Sequence, residues 1–205
     1  MSGNIPALFC PGIPGAGKTI LASKAIKHLQ EQTDGQSCIT FLYCNYAKRQ
    51  EQTTENLLST LLRHVAEQCD LIPESVSLLY ESHKKKHVKP TVESLLDTLI
   101  QIIRAQNRAF LVVDALDECS DETWKGLINA IRKLQDTTRL GFMATSRPSL
   151  EREIQGALRL EIRASQNDIE SYLDDRFQEL SKCAQQNSGL KEKIKQQICE
   201  AADGM

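Results

Sequence analysis

Short apolar runs alternate along this chain with longer segments in which apolar residues recur every three or four positions. A short apolar run between polar residues is typical of a buried strand, whereas the longer period is typical of an amphipathic helix. The short runs predict five strands, at Ala7–Cys10, Ile39–Cys44, Phe110–Asp114, Leu140–Thr145 and Leu158–Ile162. The helical spacing predicts helices starting after residue 19 and near Pro73, and others at Glu55–Cys69, Val92–Gln106, Glu122–Gln135, Asn167–Leu180 and Leu190–Ala202.

This alternation of strands and helices predicts an α/β fold in which helices cover both faces of a parallel sheet. The 205 residues suffice for one principal domain, which we place at residues 1–165. Residues 166–205 are predicted to be helical and to begin a second, small domain that looks truncated. Ligands of such sheets bind beyond the carboxyl ends of the strands, so functional residues are expected there.

The segment between the first predicted strand and the first predicted helix matches the phosphate-binding pattern G-x-x-x-x-G-K-[ST]. Its three glycines lack a Cβ, so we expect the backbone to adopt positive φ and to curl around an anion. Lys18 is expected to reach the β- and γ-phosphates, and the Thr19 hydroxyl to bind Mg²⁺. A Gly/Pro-rich turn is the alternative, but a turn does not require Lys-Thr at this offset. The candidate nucleotide-binding residues are Gly12, Ile13, Pro14, Gly15, Ala16, Gly17, Lys18, Thr19 and Ile20.

Ile20 also begins the helical apolar spacing after the loop, which continues through Leu21, Ala25, Ile26 and Leu29. A strand before the loop and a helix after it are the context that the phosphate-binding pattern requires.

A second part of the site is predicted at the end of the third strand, where an apolar run closes on Asp114. Beside a phosphate-binding loop, such a carboxylate is expected to hold Mg²⁺ opposite Thr19. Glu118 is the first candidate to orient or deprotonate the attacking water, and Asp117 is the second. The alternatives are that Asp114 only terminates a buried strand, and that one residue of the acidic pair only caps the following helix.

The fourth strand ends in a polar cluster that includes Arg147 and is followed by Pro148. Arg147 has the charge and the length to contact a γ-phosphate, and Pro148 would end the strand. The alternative is a surface arginine in a loop. Lys18, Glu118, Asp117 and Arg147 are therefore the candidate catalytic residues, and Thr19 and Asp114 the candidate metal ligands.

Together these motifs resemble those of NACHT domains, especially those of fungal NOD-like receptor and ankyrin-repeat proteins. Pro11–Thr19 resembles their phosphate-binding loop, Val112–Cys119 their Walker B segment and Thr145–Pro148 their sensor 1 segment. Gln52–Leu58 and Asn167–Leu173 are further similar stretches, so the resemblance covers nearly the whole chain.

This resemblance implies a signal-transduction ATPase of the AAA+-like P-loop group, a three-layer sandwich with sheet order 5-1-4-3-2. It also implies a switch that is closed with ADP, oligomerises with ATP and is reset by slow hydrolysis. Relatives usually continue past the motif at Ala202–Met205 into a winged-helix domain, whose histidine contacts the β-phosphate. We therefore expect this chain to be an excised core domain or a truncated homologue, in which nucleotide affinity and the closed state are weakened.

Composition narrows the possible partners. The net charge of −2 gives no general attraction for nucleic acid, and no apolar run approaches the roughly 20 residues of a membrane span. Seven cysteines, an odd number without a C-x-x-C pair, favour the reducing cytoplasm. We therefore expect a cytoplasmic protein with no nucleic-acid or membrane partner.

Three functions fit these motifs. The first is a Mg²⁺-dependent nucleoside triphosphatase that serves as a switch, and the second is a nucleotide-gated oligomerisation scaffold with little hydrolysis. The third is a small-molecule kinase, for which no lid signature is evident. The Asn-Lys-x-Asp pattern that selects guanine is absent, so ATP and ADP are the expected nucleotides, and GTP is not excluded.

Overall fold

The computed structural model describes residues 7–32, 37–86, 88–150, 154, 156–177 and 188–202. Within these residues five strands form one parallel sheet. The strands are β1 (Leu8–Pro11), β2 (Ser37–Tyr43), β3 (Arg108–Asp114), β4 (Leu140–Ser146) and β5 (Leu158–Arg159). The helices are α1 (Lys18–Gln32), α2 (Thr54–Glu67), α3 (Glu74–Lys86), α4 (Val92–Arg104), α5 (Asp121–Thr137), α6 (Gln166–Phe177) and α7 (Ser188–Ala202).

The strand order is β2-β3-β4-β1-β5, which confirms the predicted order 5-1-4-3-2. This order places β1 and β3 on either side of β4, so the segments that follow these three strands meet at one edge of the sheet. The predicted helix end at Leu180 and the residues 203–205 lie outside the described residues.

Helices cover both faces of the sheet, because alternate residues of its strands point in opposite directions. In β3, Leu111 and Val113 belong to the large core formed with α2, α4 and α5. Val112 packs with Ala22 and Ile26 of α1 on the other face. The result is the predicted three-layer sandwich.

Three helices on the face of the sheet that carries the large core are capped at their N-termini by hydroxyl side chains. Thr53, Thr91 and Ser120 each accept a hydrogen bond from a backbone N–H three residues later, which satisfies a donor that a helix start leaves free. These caps define where α2, α4 and α5 begin.

The two edges of the sheet differ. At the β2 edge, the side-chain amide of Gln68 accepts a hydrogen bond from the Ile39 N–H and donates one to the Ile39 carbonyl, both at 2.9 Å. At the other edge, β5 is shorter than predicted, and Leu158 is 61% exposed. The apolar run Leu158–Ile162 therefore does not mark a buried strand, although the N–H of Ile162 still donates to Pro11.

Within the described residues, no helix is both long and apolar enough to cross a membrane.

Candidate functional site

The loop between β1 and α1 curls at two of its glycines. Gly15 has φ +84° and Gly17 has φ +87°, a region that residues with a Cβ rarely adopt. The turn is closed by a hydrogen bond from the Ala16 N–H to the Ile13 carbonyl at 3.2 Å. The loop is tied to the end of β4 by the Gly12 N–H, which donates to Ser146 at 3.0 Å.

Gly12 does not adopt the positive φ that was predicted for the glycines of the loop. Its lack of a Cβ matters for a different reason. A Cβ at this position would lie 3.0 Å from the carbonyl oxygen of Ile162 and 3.1 Å from its Cβ. Close approach of the segment after β5 therefore favours glycine here, because a larger residue would displace this segment by a few tenths of an ångström.

Lys18 lies over the loop in the first turn of α1. Its Nζ donates to the carbonyls of Gly12 and Ile13, each at 2.9 Å. The first N–H groups of a helix have no partner within the helix, and the neighbouring Thr19 and Ile20 are exposed to solvent. Ile20 is 63% exposed, so it does not belong to the apolar face on which the helical spacing placed it.

Asp114 joins three elements at the end of β3, where it is only 3% exposed. Its Oδ2 accepts a hydrogen bond from the Thr19 hydroxyl at 2.7 Å, and its Oδ1 accepts one from Thr145 at 2.5 Å. The Thr145 oxygen in turn accepts the Ala115 N–H at 2.9 Å. The two predicted metal ligands therefore lie in direct contact.

Sequence reasoning included Thr145 only within the polar cluster after β4 and gave it no role of its own. Its position at the end of a buried strand, predicted next to the strand that carries Asp114, was the available signal.

The backbone reverses immediately after Asp114. Ala115 adopts the left-handed conformation with φ 55° and ψ 47°, which is unfavourable for a residue with a Cβ. A single 3₁₀ turn follows at Leu116–Glu118 and carries both candidate acids. Such local strain is common at functional sites.

The two acids face different partners. Glu118 Oε2 accepts a hydrogen bond from the backbone N–H of Tyr46, in the segment after β2, at 2.9 Å. Asp117 accepts the Arg147 backbone N–H at 2.9 Å, and it forms an ion pair with the Arg147 Nε at 3.1 Å. Thr19 and Asp114 thus form one pair and Asp117 and Arg147 a second, whereas Glu118 contacts the β2 side and Lys18 is bonded to the loop itself.

Two buried thiols lie beside the acidic turn. Cys44 follows β2 and its N–H donates to the Asp114 carbonyl at 3.0 Å. A hydrogen bond between the thiols of Cys44 and Cys119 raises the pKa of Cys44 and lowers the pKa of Cys119. Burial raises the pKa of Cys44 further. This contact links the segment after β2 to the residue after Glu118.

These residues fit the phosphates of a nucleotide with Mg²⁺. A Cβ built on Gly15 or Gly17 meets no atom within 4 Å, so the space above the curled loop is open. Lys18 and the first N–H groups of α1 supply positive charge and donors beside that space. The Thr19 hydroxyl and the Asp114 carboxylate are oxygen ligands of the kind Mg²⁺ prefers.

The fold and this loop define the class: the chain has a P-loop NTPase fold of the AAA+-like kind. The profile of the family described as Nephrocystin 3, N-terminal, matches residues 1–147. The chain therefore belongs to the Nephrocystin 3, N-terminal family. This region is NACHT-like, so the resemblance to NACHT P-loop NTPases is confirmed. No curated protein matches the sequence significantly.

Solved structures support the same fold. A Drosophila ORC structure bound to DNA aligns with a TM-score of 0.53 and 17% identity over 96% of this chain and 46% of that one. The Aeropyrum pernix ORC1 protein in complex with DNA aligns with a TM-score of 0.54 and 17% identity over 85% of this chain and 44% of that one. The chain thus spans less than half the length of these two proteins.

Proposed function

We propose that this chain binds ATP or ADP with Mg²⁺ and hydrolyses ATP slowly, as a cytoplasmic signalling switch of the NOD-like-receptor type. GTP remains an alternative nucleotide. The observation that carries the proposal is the contact between Thr19 and Asp114, because it brings the end of the phosphate-binding loop to the strand-end carboxylate.

Each candidate residue has a distinct task in this proposal. Lys18 exchanges its two loop carbonyls for phosphate oxygens, and Thr19 and Asp114 hold Mg²⁺. When bound, Mg²⁺ neutralises charge on the phosphates. Glu118 orients or deprotonates the attacking water, and Arg147 stabilises charge on the γ-phosphate. Asp117 is the second candidate for the base.

The test is Mg²⁺-dependent phosphate release, combined with identification of the nucleotide carried by the purified protein. Glu118→Gln should lower phosphate release while nucleotide stays bound, and Lys18→Ala should remove binding itself. The matched controls are Glu122→Gln and Lys24→Ala, which alter exposed residues on α5 and α1. Equal release by wild type and Glu118→Gln would refute the assignment of the base. Tight ATP binding by Lys18→Ala would refute the site.

A specific observation supports a second candidate, a nucleotide-gated scaffold with little hydrolysis. Glu118 is hydrogen-bonded to Tyr46, and Arg147 is paired with Asp117. Both hydrolytic groups are therefore already engaged with protein partners, which is compatible with little hydrolysis. Light scattering measured together with phosphate release separates the two candidates, because a hydrolysing switch also assembles with a non-hydrolysable ATP analogue. A scaffold assembles with the analogue and with ATP alike and releases no phosphate above background.

We propose that residues 166–205 begin a helical domain and that the full-length protein self-associates when ATP replaces ADP. Nucleic acid is not a proposed partner. The likeness to fungal proteins remains a prediction.

A further inference from the structure

The acidic pair after β3 divides between two neighbours. Both carboxylate oxygens of Asp117 contact the same residue: Oδ1 accepts the Arg147 backbone N–H at 2.9 Å, and Oδ2 lies 3.1 Å from the Arg147 Nε. The Asp117 side chain is only 10% exposed, whereas that of Arg147 is 58% exposed. The carboxylate is thus the fixed member of the pair and the guanidinium is the member that faces solvent.

The backbone of Arg147 is held from two sides. β4 ends at Ser146, so the next N–H has left the strand ladder and is capped by Asp117. The Ser146 carbonyl accepts the N–H of Gly12, the first residue of the phosphate-binding loop. A continuous connection therefore runs from the acidic turn through the end of β4 to the loop.

This geometry is poorly suited to a general base. A base must direct an oxygen at the attacking water, and both oxygens of Asp117 are directed at Arg147. Bonding to both the main chain and the side chain of one arginine instead fixes where its guanidinium starts and in which direction it extends.

We propose that Asp117 is a positioning residue for Arg147. It holds the arginine backbone in register with the phosphate-binding loop and directs the guanidinium along one path, so that Asp117 acts on a γ-phosphate only through Arg147. This inference rests on the proposed nucleotide site, and it leaves Glu118 as the one candidate base of the pair.

A double-mutant cycle tests it. Asp117→Asn and Arg147→Ala should each lower the rate of phosphate release, by about 10- to 100-fold. Asp117→Asn removes the ion pair, but its amide oxygen can still accept the backbone N–H of residue 147. In the Arg147→Ala background, Asp117→Asn should therefore change the rate by less than twofold. A full additional loss in that background would overturn the proposal, because a base acts independently of the arginine. Asp136→Asn, at an exposed aspartate on α5, is the matched control.

Nucleotide affinity provides a readout that does not depend on hydrolysis. Arg147→Ala should lower the affinity for a non-hydrolysable ATP analogue but not for ADP. Asp117→Ala and Asp117→Asn should lower the same ratio of affinities, and neither should add to the Arg147→Ala effect. An unchanged ratio in both Asp117 variants would overturn the proposal. Asp117→Asn serves where Asp117→Ala does not fold, since its amide oxygen can still accept the backbone N–H.

Failure of the proposed function shows in the wild-type protein, whereas failure of the positioning role shows only in the Asp117 variants. If the proposed function is wrong, the wild-type protein itself neither binds ATP nor releases phosphate, and the positioning role falls with it. If only the inference is wrong, the wild type behaves as proposed and the Asp117 variants lose activity in both backgrounds.

Discussion

Thr145 offers the sharpest test of how the site is held together. Its side chain is 0% exposed, and its single hydroxyl donates to Asp114 and accepts the Ala115 N–H. Thr145→Val keeps the shape of the side chain and removes both hydrogen bonds. The Ala115 N–H and one oxygen of the Asp114 carboxylate would then be buried without this partner.

The size of the effect follows from the two contacts. A hydrogen bond to a charged group contributes about 1.5–3 kcal/mol, and a buried N–H without a partner costs about 1–3 kcal/mol. Because one hydroxyl serves both contacts, we expect Thr145→Val to lower the free energy of unfolding by about 3 kcal/mol. Thr145→Ser keeps the hydroxyl and removes one buried methyl group, which costs about 1 kcal/mol.

Urea unfolding measures both variants. A loss of about 3 kcal/mol lowers the urea midpoint by about 1 M for a protein of this size. Thr145→Ser should fall between wild type and Thr145→Val. If Thr145→Val were as stable as Thr145→Ser, the hydroxyl would not be holding the end of β3, and the reasoning about this site would be wrong.

Three further predictions concern other positions. A Cβ at Gly126 would lie 2.5 Å from the Thr54 Oγ1, so Gly126→Ala should lower the free energy of unfolding despite a helix-propensity gain of about 1 kcal/mol. In the Thr54→Ala background the same substitution should raise the free energy of unfolding. A rise in both backgrounds would disprove the overlap. Gly17→Ala should lower the free energy of unfolding by about 1–2 kcal/mol through its left-handed backbone alone, and an unchanged urea midpoint would mean that the loop relaxes. Burial raises the pKa of Cys10 to about 11 and of Cys38 to about 12. These two thiols therefore keep their protons in the folded protein at pH values where the thiols of the unfolded chain ionise. The free energy of unfolding should consequently fall as pH rises above about 9. Rapid alkylation of Cys10 in the native protein at pH 9 would contradict this.

Periodicity predicted the sheet core well because its strands are buried on both faces and its helices are amphipathic. β5 was predicted less well, since Leu158 belongs to an apolar run yet lies at an exposed edge. Ile20 differed for a similar reason: its spacing fits a helix face, but it stands in the first turn, beside the open loop. Apolar character alone does not distinguish a residue that packs in the core from one that borders a site.

The chemistry of the site was predictable from the sequence, but the pairing of its side chains was not. Asp117 and Glu118 are adjacent acids that follow the same strand, and no pattern tells which of them faces Arg147 and which faces Tyr46. The directions of the two acids depend on the left-handed conformation of Ala115, which an alanine in the sequence does not predict. The role of Gly12 likewise depends on Ile162, which lies 150 positions further along the chain.

The amide of Gln68 has a consequence for how copies of this chain can meet. By bonding both the N–H and the carbonyl of Ile39, it occupies a pair of backbone groups that an incoming strand would need at the β2 edge. One side chain at the C-terminal end of α2 thus blocks uninterrupted strand pairing at that edge of the sheet. A second copy therefore cannot pair a strand with β2 at Ile39 unless this amide is first displaced.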